Sequence, residues 1–280
     1  MKLGVRNYAP AEDLAPFVRR YFVISGDLPE DLEIEDMLLA ENAFVRIMVR
    51  GEWSAQPPGG EWKTAGSGLL FGGNSRPLHV RVKGPFLTVA FAIRPSAWRS
   101  LFKQPATEFV NDMVPLSDAW GEDADQLVAD ISRAKTDAAM VKAMDRAVRK
   151  QLEKVRKPKI DQKIALFEKI ARTDSTTKVD DIAKLLDLSV RQFERRCHAV
   201  WGLSPKAVLR RSRFLDMTES MRGMSKPGEE HLAGLRYFDQ SHLNREFWYF
   251  AGMTPGKFAK ATTPLFDESL KLRVAGKAVE

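Results

Sequence analysis

Two segments of the chain resemble each other at a constant offset of fifty residues. The offset pairs Ile182-Ala183 with Leu232-Ala233, and Gly202-Leu203-Ser204-Pro205 with Gly252-Met253-Thr254-Pro255. The register holds without a gap over residues 182–205, 24 in all, and apolar residues stay opposite apolar residues. A duplicated structural unit is the simplest explanation of such a pattern. The chain is therefore expected to contain one small motif twice.

Each copy has the pattern of two short helices joined by a tight turn. In the first copy, Thr177 or its neighbour is expected to cap a helix, with Asp180 and Asp181 in its first turn. That helix must end near Asp187-Leu188, because Ser189-Val190-Arg191-Gln192 has the form of a capping box that starts another. Two helices separated by about three residues are typical of a helix-turn-helix.

The helical period decides which side chains of each second helix face solvent. Three residues of the first copy are expected to be exposed: Arg191, Glu194 and Arg195. Four residues of the second copy are expected to be exposed: Ser241, His242, Asn244 and Arg245. The buried sets are Phe193, Cys197 and Val200 in the first copy, and Leu243, Phe247 and Phe250 in the second. Lys206 to Met221 is predicted to be one connecting helix, ended by Gly223.

Positive charge is concentrated in the half that holds the repeat. Residues 1–150 carry 19 Lys and Arg against 20 Asp and Glu, whereas residues 151–260 carry 22 against 14. A basic segment beside a neutral one is typical of a polyanion-binding module. A solvated basic helical surface would give the same count.

The first half of the chain has the sequence pattern of β-strands. Predicted strands include Phe44–Val49, Leu69–Phe71, His79–Val82 and Phe86–Ile93, separated by Gly- and Pro-containing turns. From about 118 to 156 the pattern becomes helical, and the charged stretch 154–159 contains a proline. The expected fold class is α+β, with a strand-rich, barrel- or sandwich-like domain followed by an all-α domain.

Composition excludes several classes of protein. No apolar stretch reaches the ~18 residues of a membrane span, and the start of the chain lacks the apolar block of a secretory signal. A single cysteine, Cys197, forms no internal disulfide. The sequence therefore predicts a cytoplasmic protein without a membrane partner. It contains no nucleophile–His–acid set, phosphate-binding glycine loop or metal-ligand spacing, so neither an enzyme nor a cofactor is predicted.

The second copy carries a specific resemblance to a known family. Asp239-Gln240-Ser241-His242-Leu243-Asn244-Arg245-Glu246-Phe247, followed by Gly252-Met253-Thr254-Pro255, resembles the signature of the AraC/XylS family of bacterial transcription regulators. The resemblance covers residues 160–262 and implies a DNA-binding unit of two helix-turn-helices held by a connecting helix. It also implies an RNA polymerase contact and, in many members, a sensor or dimerisation domain ahead of the DNA-binding one.

The resemblance implies a role for particular residues of this chain. The family's base-reading positions fall on Arg191, Glu194, Arg195, Ser241, His242, Asn244 and Arg245. Phosphate contacts are expected near helix starts, at Ser204, Lys206, Thr254 and Lys257. The family usually has glycine in each turn, whereas this chain has Asp187 in the first and Arg236 or Tyr237 in the second. Asp tolerates a positive φ, but Arg or Tyr would cost ~1 kcal/mol there.

The implied organisation has two domains and a tail. Residues 1–157 form the sensor or dimerisation domain, with helices at about 118–156. Residues 158–265 form the DNA-binding domain, with motifs at about 177–201 and 229–251, and residues 266–280 form the tail. Double-stranded DNA is the predicted partner. A small-molecule effector of the N-terminal domain and a homodimer are further possibilities.

At several positions, a structural role is an alternative to the functional one. Arg195 and Arg245 could pair with a nearby acid, Glu194 could serve an intrahelical pair, and His242 could support its helix. In the first half, Arg46, Arg81 and Arg94 could bind an anion or could lie on solvated strand faces. Five aromatic residues could line a ligand pocket or fill the core: Trp53, Trp62, Trp98, Phe71 and Phe91.

Two other functions remain open at this point. One is an enzyme in the N-terminal half that uses the basic half only for targeting. The other is an architectural DNA-binding module with little base specificity. Competition binding separates both from a regulator, which prefers its site over random duplex by ~10³-fold or more.

Overall fold

The N-terminal half is built around one antiparallel sheet. A computed structural model describes residues 2–64, 66–225 and 240–277. The strands are β1 (Lys2–Tyr8), β2 (Val18–Asp27), β3 (Glu33–Leu38), β4 (Phe44–Gln56), β5 (Lys63–Thr64), β6 (Gly68–Phe71), β7 (Leu78–Ile93) and β8 (Met113–Pro115). Their order is β1-β2-β7-β4-β6-β8, with β3 paired to β7 and β5 paired to β4. The predicted strand-rich domain is confirmed, and the two predicted strands at 79–82 and 86–93 are one continuous β7.

The long strands β4 and β7 organise the sheet and give it two buried faces. Successive side chains of a strand point to opposite faces. Val45 and Ile47 belong to one hydrophobic cluster, while Phe44 packs against another. Register shifts flank Arg50, where β4 pairs irregularly with β7. Such bulges bend a strand and change the face to which later residues point, so Trp53 joins the cluster on the face of Phe44.

Four helices accompany the sheet, the first between β7 and β8 and the others after β8: α1 (Trp98–Leu101), α2 (Ser117–Trp120), α3 (Glu122–Arg133) and α4 (Asp137–Glu153). The helical region predicted at 118–156 is confirmed, but it is divided. Ala134 is extended, and Thr136 caps α4 by accepting a hydrogen bond from Ala139 N at 3.2 Å. The buried face of α4 belongs to the same hydrophobic cluster as Val45.

The first helix-turn-helix region continues that cluster. It consists of α5 (Gln162–Thr173), α6 (Val179–Leu185), α7 (Val190–Trp201) and α8 (Pro205–Met221). The ring of Phe167 lies 4.7 Å from that of Phe193 and 5.2 Å from that of Trp201, between centroids. Trp201 Nε1 donates to Asn42 Oδ1 of the sheet domain at 3.0 Å. Gly202, with φ +73°, lies so close to Ala106 and Val110 that a Cβ would collide with them.

The last three helices, α9 (Gln240–Ala251), α10 (Pro255–Lys260) and α11 (Pro264–Lys277), share a third cluster with β3. The sequence assigned residues 266–280 to a tail, and most of that stretch lies in α11. The carboxylate of Asp36 on β3 accepts hydrogen bonds from Leu265 N at 2.7 Å and Phe266 N at 3.2 Å. The start of α11 is therefore held by a strand of the N-terminal sheet.

Part of the second motif lies outside the described residues. This applies to the predicted first helix with Leu232, Ala233 and Leu235, to the cap at Asp239, and to the turn at Arg236 or Tyr237.

Candidate nucleic-acid interface

The first recognition helix, α7, is formed by local signals that the sequence shows clearly. Ser189 Oγ accepts from Gln192 N at 3.2 Å, and Gln192 Oε1 accepts from Ser189 N at 2.9 Å, which completes the predicted capping box. Asp187 supplies the positive φ of the turn, +50°. The predicted side-chain cap of α6 is absent: Lys178 occupies the N-cap without a side-chain bond, and Thr177 Oγ1 donates to Asp174 at 2.6 Å.

The side chains of α7 divide as the helical period predicts. Phe193, Cys197 and Val200 are buried. Arg191, Glu194 and Arg195 are exposed, and none of them makes an ion pair within the described residues. The intrahelical pair considered for Glu194 is therefore not formed. The two guanidinium groups keep all their donors for an external acceptor.

The second recognition helix, α9, presents a smaller polar face. Ser241 and Arg245 are exposed, whereas His242 and Asn244 are half-buried and in contact with other groups. His242 Nε2 lies 3.8 Å from Glu246 Oε1, one turn along the helix. Glu246 is also bound by Arg210, whose Nε lies 2.7 Å from Glu246 Oε2. Of the predicted residues in this helix, Ser241 and Arg245 are the most accessible.

Trp248 adds to this face and was not predicted. Its side chain is 56% exposed, which is unusual for a residue of this size. Positions 241, 245 and 248 follow the i, i+4, i+7 spacing of one helix face. This spacing is visible in the sequence, but an aromatic residue beside Phe247 and Phe250 gives no sequence signal that tells exposure from burial.

The four predicted phosphate-contacting residues fall into two kinds. Ser204 and Thr254 are N-caps whose hydroxyls accept from Ala207 N at 3.2 Å and Lys257 N at 3.3 Å. These hydroxyls are therefore occupied in shaping the helix starts. Lys206 and Lys257 are exposed in the first turns of α8 and α10, where a positive charge and unpaired amides together favour an anion.

Cys197, the single cysteine of the sequence, lies buried in the first motif. Burial raises the pKa of the Cys197 thiol, which fits a core residue rather than a reactive one. No cluster of metal-ligating side chains occurs in residues 2–64, 66–225 and 240–277. Within the same ranges, no helix has the length and hydropathy needed to cross a bilayer.

Comparison with known protein families identifies the C-terminal half. Residues 182–261 match a family described as a helix-turn-helix domain, and residues 6–115 match a domain family of unknown function. No curated relative matches the chain.

Comparison with solved structures found, among others, two forms of ToxT from Vibrio cholerae. One, at 1.65 Å resolution, is 10% identical to this chain. The match spans 93% of this chain and 98% of the ToxT chain, with a TM-score of 0.47. Another, ToxT bound to an unsaturated fatty acid, is 12% identical over 85% of this chain and 94% of the ToxT chain, with a TM-score of 0.45. A cupin superfamily protein from Desulfitobacterium hafniense is 10% identical over 33% of this chain and 77% of its own, with a TM-score of 0.24.

The matched segment and its geometry define a helix-turn-helix DNA-binding protein. Residues 182–261 form an AraC-type helix-turn-helix domain, and the chain is a DNA-binding transcription regulator.

Proposed function

We propose that this regulator reads operator DNA with α7 and α9, each placed in a major groove. The observation that carries the proposal is the unpaired state of Arg191 and Arg195 on the solvent face of α7. An arginine fork matches the O6 and N7 acceptors of guanine, and such a pair discriminates between bases by ~1–3 kcal/mol. Glu194, between the two arginines in sequence, is an acceptor for the cytosine amino group.

In the second motif we assign base contacts to Ser241 and Arg245 first, with His242 and Asn244 beside them. Trp248 joins this set because it lies on the same helix face and is exposed. An apolar side chain in the major groove can contact the thymine methyl group. Lys206 and Lys257 are assigned to phosphates, as are the capped helix starts at Ser204 and Thr254.

We infer further that residues 1–157 form a sensor or dimerisation domain and residues 158–265 the DNA-binding domain. On this proposal the protein works in the cytoplasm, contacts RNA polymerase and acts without enzymatic activity. Homodimerisation through the N-terminal domain and control by a small molecule belong to the same proposal. The extensive contacts between the two halves, such as Trp201 with Asn42, support transmission of a signal from one to the other.

The experiment is selection of bound DNA from a random duplex library with the full chain. Two motifs on one unit are expected to select two short elements about one helical turn, ~10 bp, apart. Competition should then show a preference of ~10³-fold or more over random duplex at physiological salt. Affinity that falls with salt but never distinguishes sequences would instead identify an architectural protein.

A further inference from the structure

A cavity lies between the inner face of the sheet and the C-terminal helix α11. Its volume is about 160 Å³. The wall is mostly apolar and draws residues from β4, α8 and α11, among them Phe44, Trp53, Leu215 and Leu270. An apolar cavity of ~150 Å³ accommodates a molecule the size of benzene.

The inner wall also holds a buried arginine without a partner. Arg46 is 3% exposed, and none of its three guanidinium nitrogens has a hydrogen-bond partner. Its Cζ lies 4.5 Å from the centroid of the Trp53 ring and 4.8 Å from that of Phe71. These aromatic contacts stabilise the cation, but they provide no acceptor for its five N–H groups.

Arg46 differs in this respect from the arginines on the opposite wall. Arg172 and Arg273 are also buried, and both bind Glu41, at 2.9 Å and 2.8 Å. Burial lowers the pKa of Arg46 to about 9, and no carboxylate acts on it, so the group stays charged near neutral pH. Buried charges in folded proteins are paired as a rule. The missing partner of Arg46 is therefore expected to come from outside the chain.

The sequence places Arg46 here through strand geometry. Arg46 is opposite Ala90 and Met48 is opposite Thr88, so these residues lie on the cavity face of β4 and β7. From β7, Ala92 and the buried Thr88 line the same cavity, and Thr88 places a hydroxyl on the wall that holds Arg46. Arg46 and Thr88 thus place a cation and a hydroxyl together on one wall, whereas Arg172 and Arg273 of the opposite wall are paired with Glu41.

We propose that this cavity binds a small organic monoanion: a carboxylate on an apolar body about the size of one ring, held at its charged end by Arg46. The carboxylate takes two parallel hydrogen bonds from the guanidinium, and the apolar body lies against Trp53 and the leucines of α8 and α11. The inference names the ligand class for the effector included in the proposed function, and its regulatory consequence rests on that proposal. The binding itself requires no DNA.

The test compares carboxylates with their neutral amides on the full-length protein, without DNA. The probes are benzoate, cyclohexanecarboxylate and 3,3-dimethylbutanoate, each beside its primary amide, and affinity is measured by calorimetry. At least one carboxylate should bind ~10-fold or more tightly than its amide, because the charge-assisted bonds are lost in the amide. No binding by any carboxylate, or equal binding by every pair, would overturn the proposal.

Substitutions then test whether Arg46 is the residue that binds the carboxylate group. Arg46→Met should abolish the preference for the carboxylate, whereas Arg81→Met should preserve it. Arg81 is the matched control because it lies on β7 outside the cavity wall, is half-buried, pairs with Glu35 at 3.0 Å and contacts Trp62. Arg46→Lys, which keeps the charge but loses the fork, should retain part of the preference even if the methionine variant folds poorly. Full preference in both Arg46 variants would mean that the anion binds elsewhere. Since no step uses DNA, failure here leaves the operator selection to be judged separately.

Discussion

Arg273, near the end of α11, donates through Nε to Glu41 Oε1 at 2.8 Å, across 232 residues of sequence. The same guanidinium contacts Asp216 of α8 at 2.8 Å and also Glu219. All four groups are largely buried. One arginine therefore joins the last helix, the connecting helix of the DNA-binding half and the loop that follows β3. This network is a direct physical link between the two halves of the regulator.

Removal of this link should destabilise the protein strongly. Arg273→Met removes the buried cation that binds Glu41, Asp216 and Glu219, and loss of one partner of a buried ion pair costs about 3–5 kcal/mol. Chemical denaturation of the full-length protein measures the effect. Lys271→Met is the control on the same helix, since Lys271 is exposed and pairs with Glu268; its loss should stay below ~1 kcal/mol. Equal losses in the two variants would contradict the interpretation of Arg273 as a link.

The carboxylate of Asp36 should make stability depend on pH. Burial raises the pKa of Asp36 to about 6, against backbone hydrogen bonds from Met37, Phe266 and Leu265 that lower it. Because the folded pKa lies above the unfolded value near 3.8, the folded state binds more protons between these limits. The free energy of unfolding therefore rises as the pH falls through 6, and the contribution of this group is fully present below about pH 4.

Asp36→Asn removes the titration while keeping the shape of the side chain. The free energy of unfolding of the wild type, relative to this variant, should rise by about 2–3 kcal/mol between pH 7 and pH 4. Denaturation curves at several pH values measure this difference. Glu35→Gln on the same strand, with an exposed carboxyl, is the matched control. If the difference in free energy of unfolding between the wild type and Asp36→Asn does not change with pH, the carboxyl of Asp36 does not titrate in this range.

The first motif was predictable because its signals are local. The capping box at Ser189, the turn at Asp187 and the Ser204-Pro205 start of α8 each depend on neighbours within four residues. The helical period then fixed which side of α7 is exposed. The side-chain cap expected for α6 failed because Thr177 bonds to Asp174 instead, a competition between two local patterns that the sequence does not decide.

Features that depend on distant contacts were not predictable in the same way. Alternation along β4 places Arg46 opposite in orientation to Val45 and Ile47, and on a sheet with one buried face that side would be solvated. It is buried instead, because both faces of this sheet are covered. The role of α11 depends on Asp36 and Glu41, more than 220 residues earlier. Only the spacing of Phe266 and Leu270, one helical turn, was a sign that this segment packs.

The turn of the first motif offers a stability test of backbone conformation. Asp187 has φ +50°, and its side chain is fully exposed. A side chain with a Cβ is strained in this region by ~1 kcal/mol, and aspartate less than most. Asp187→Gly should therefore raise the free energy of unfolding by up to ~1 kcal/mol, and Asp187→Val should lower it by ~1 kcal/mol or more. Thermal or chemical denaturation measures both, and a glycine variant less stable than the valine variant would refute the role assigned to this turn.

Paired substitutions in each motif should separate base contacts from phosphate contacts. Arg195→Ala and Arg245→Ala are expected to cost ~1–3 kcal/mol at the selected operator and to relax preference at one base position each, because a fork on a base edge is lost. Lys206→Ala and Lys257→Ala should weaken binding to every sequence alike and lower the salt dependence by about one counterion each. Quantitative competition at several salt concentrations, against operators substituted one base pair at a time, distinguishes the two patterns. If Arg195→Ala weakens binding to all sequences equally, its guanidinium binds phosphate, and the specificity of α7 must come from Arg191 and Glu194.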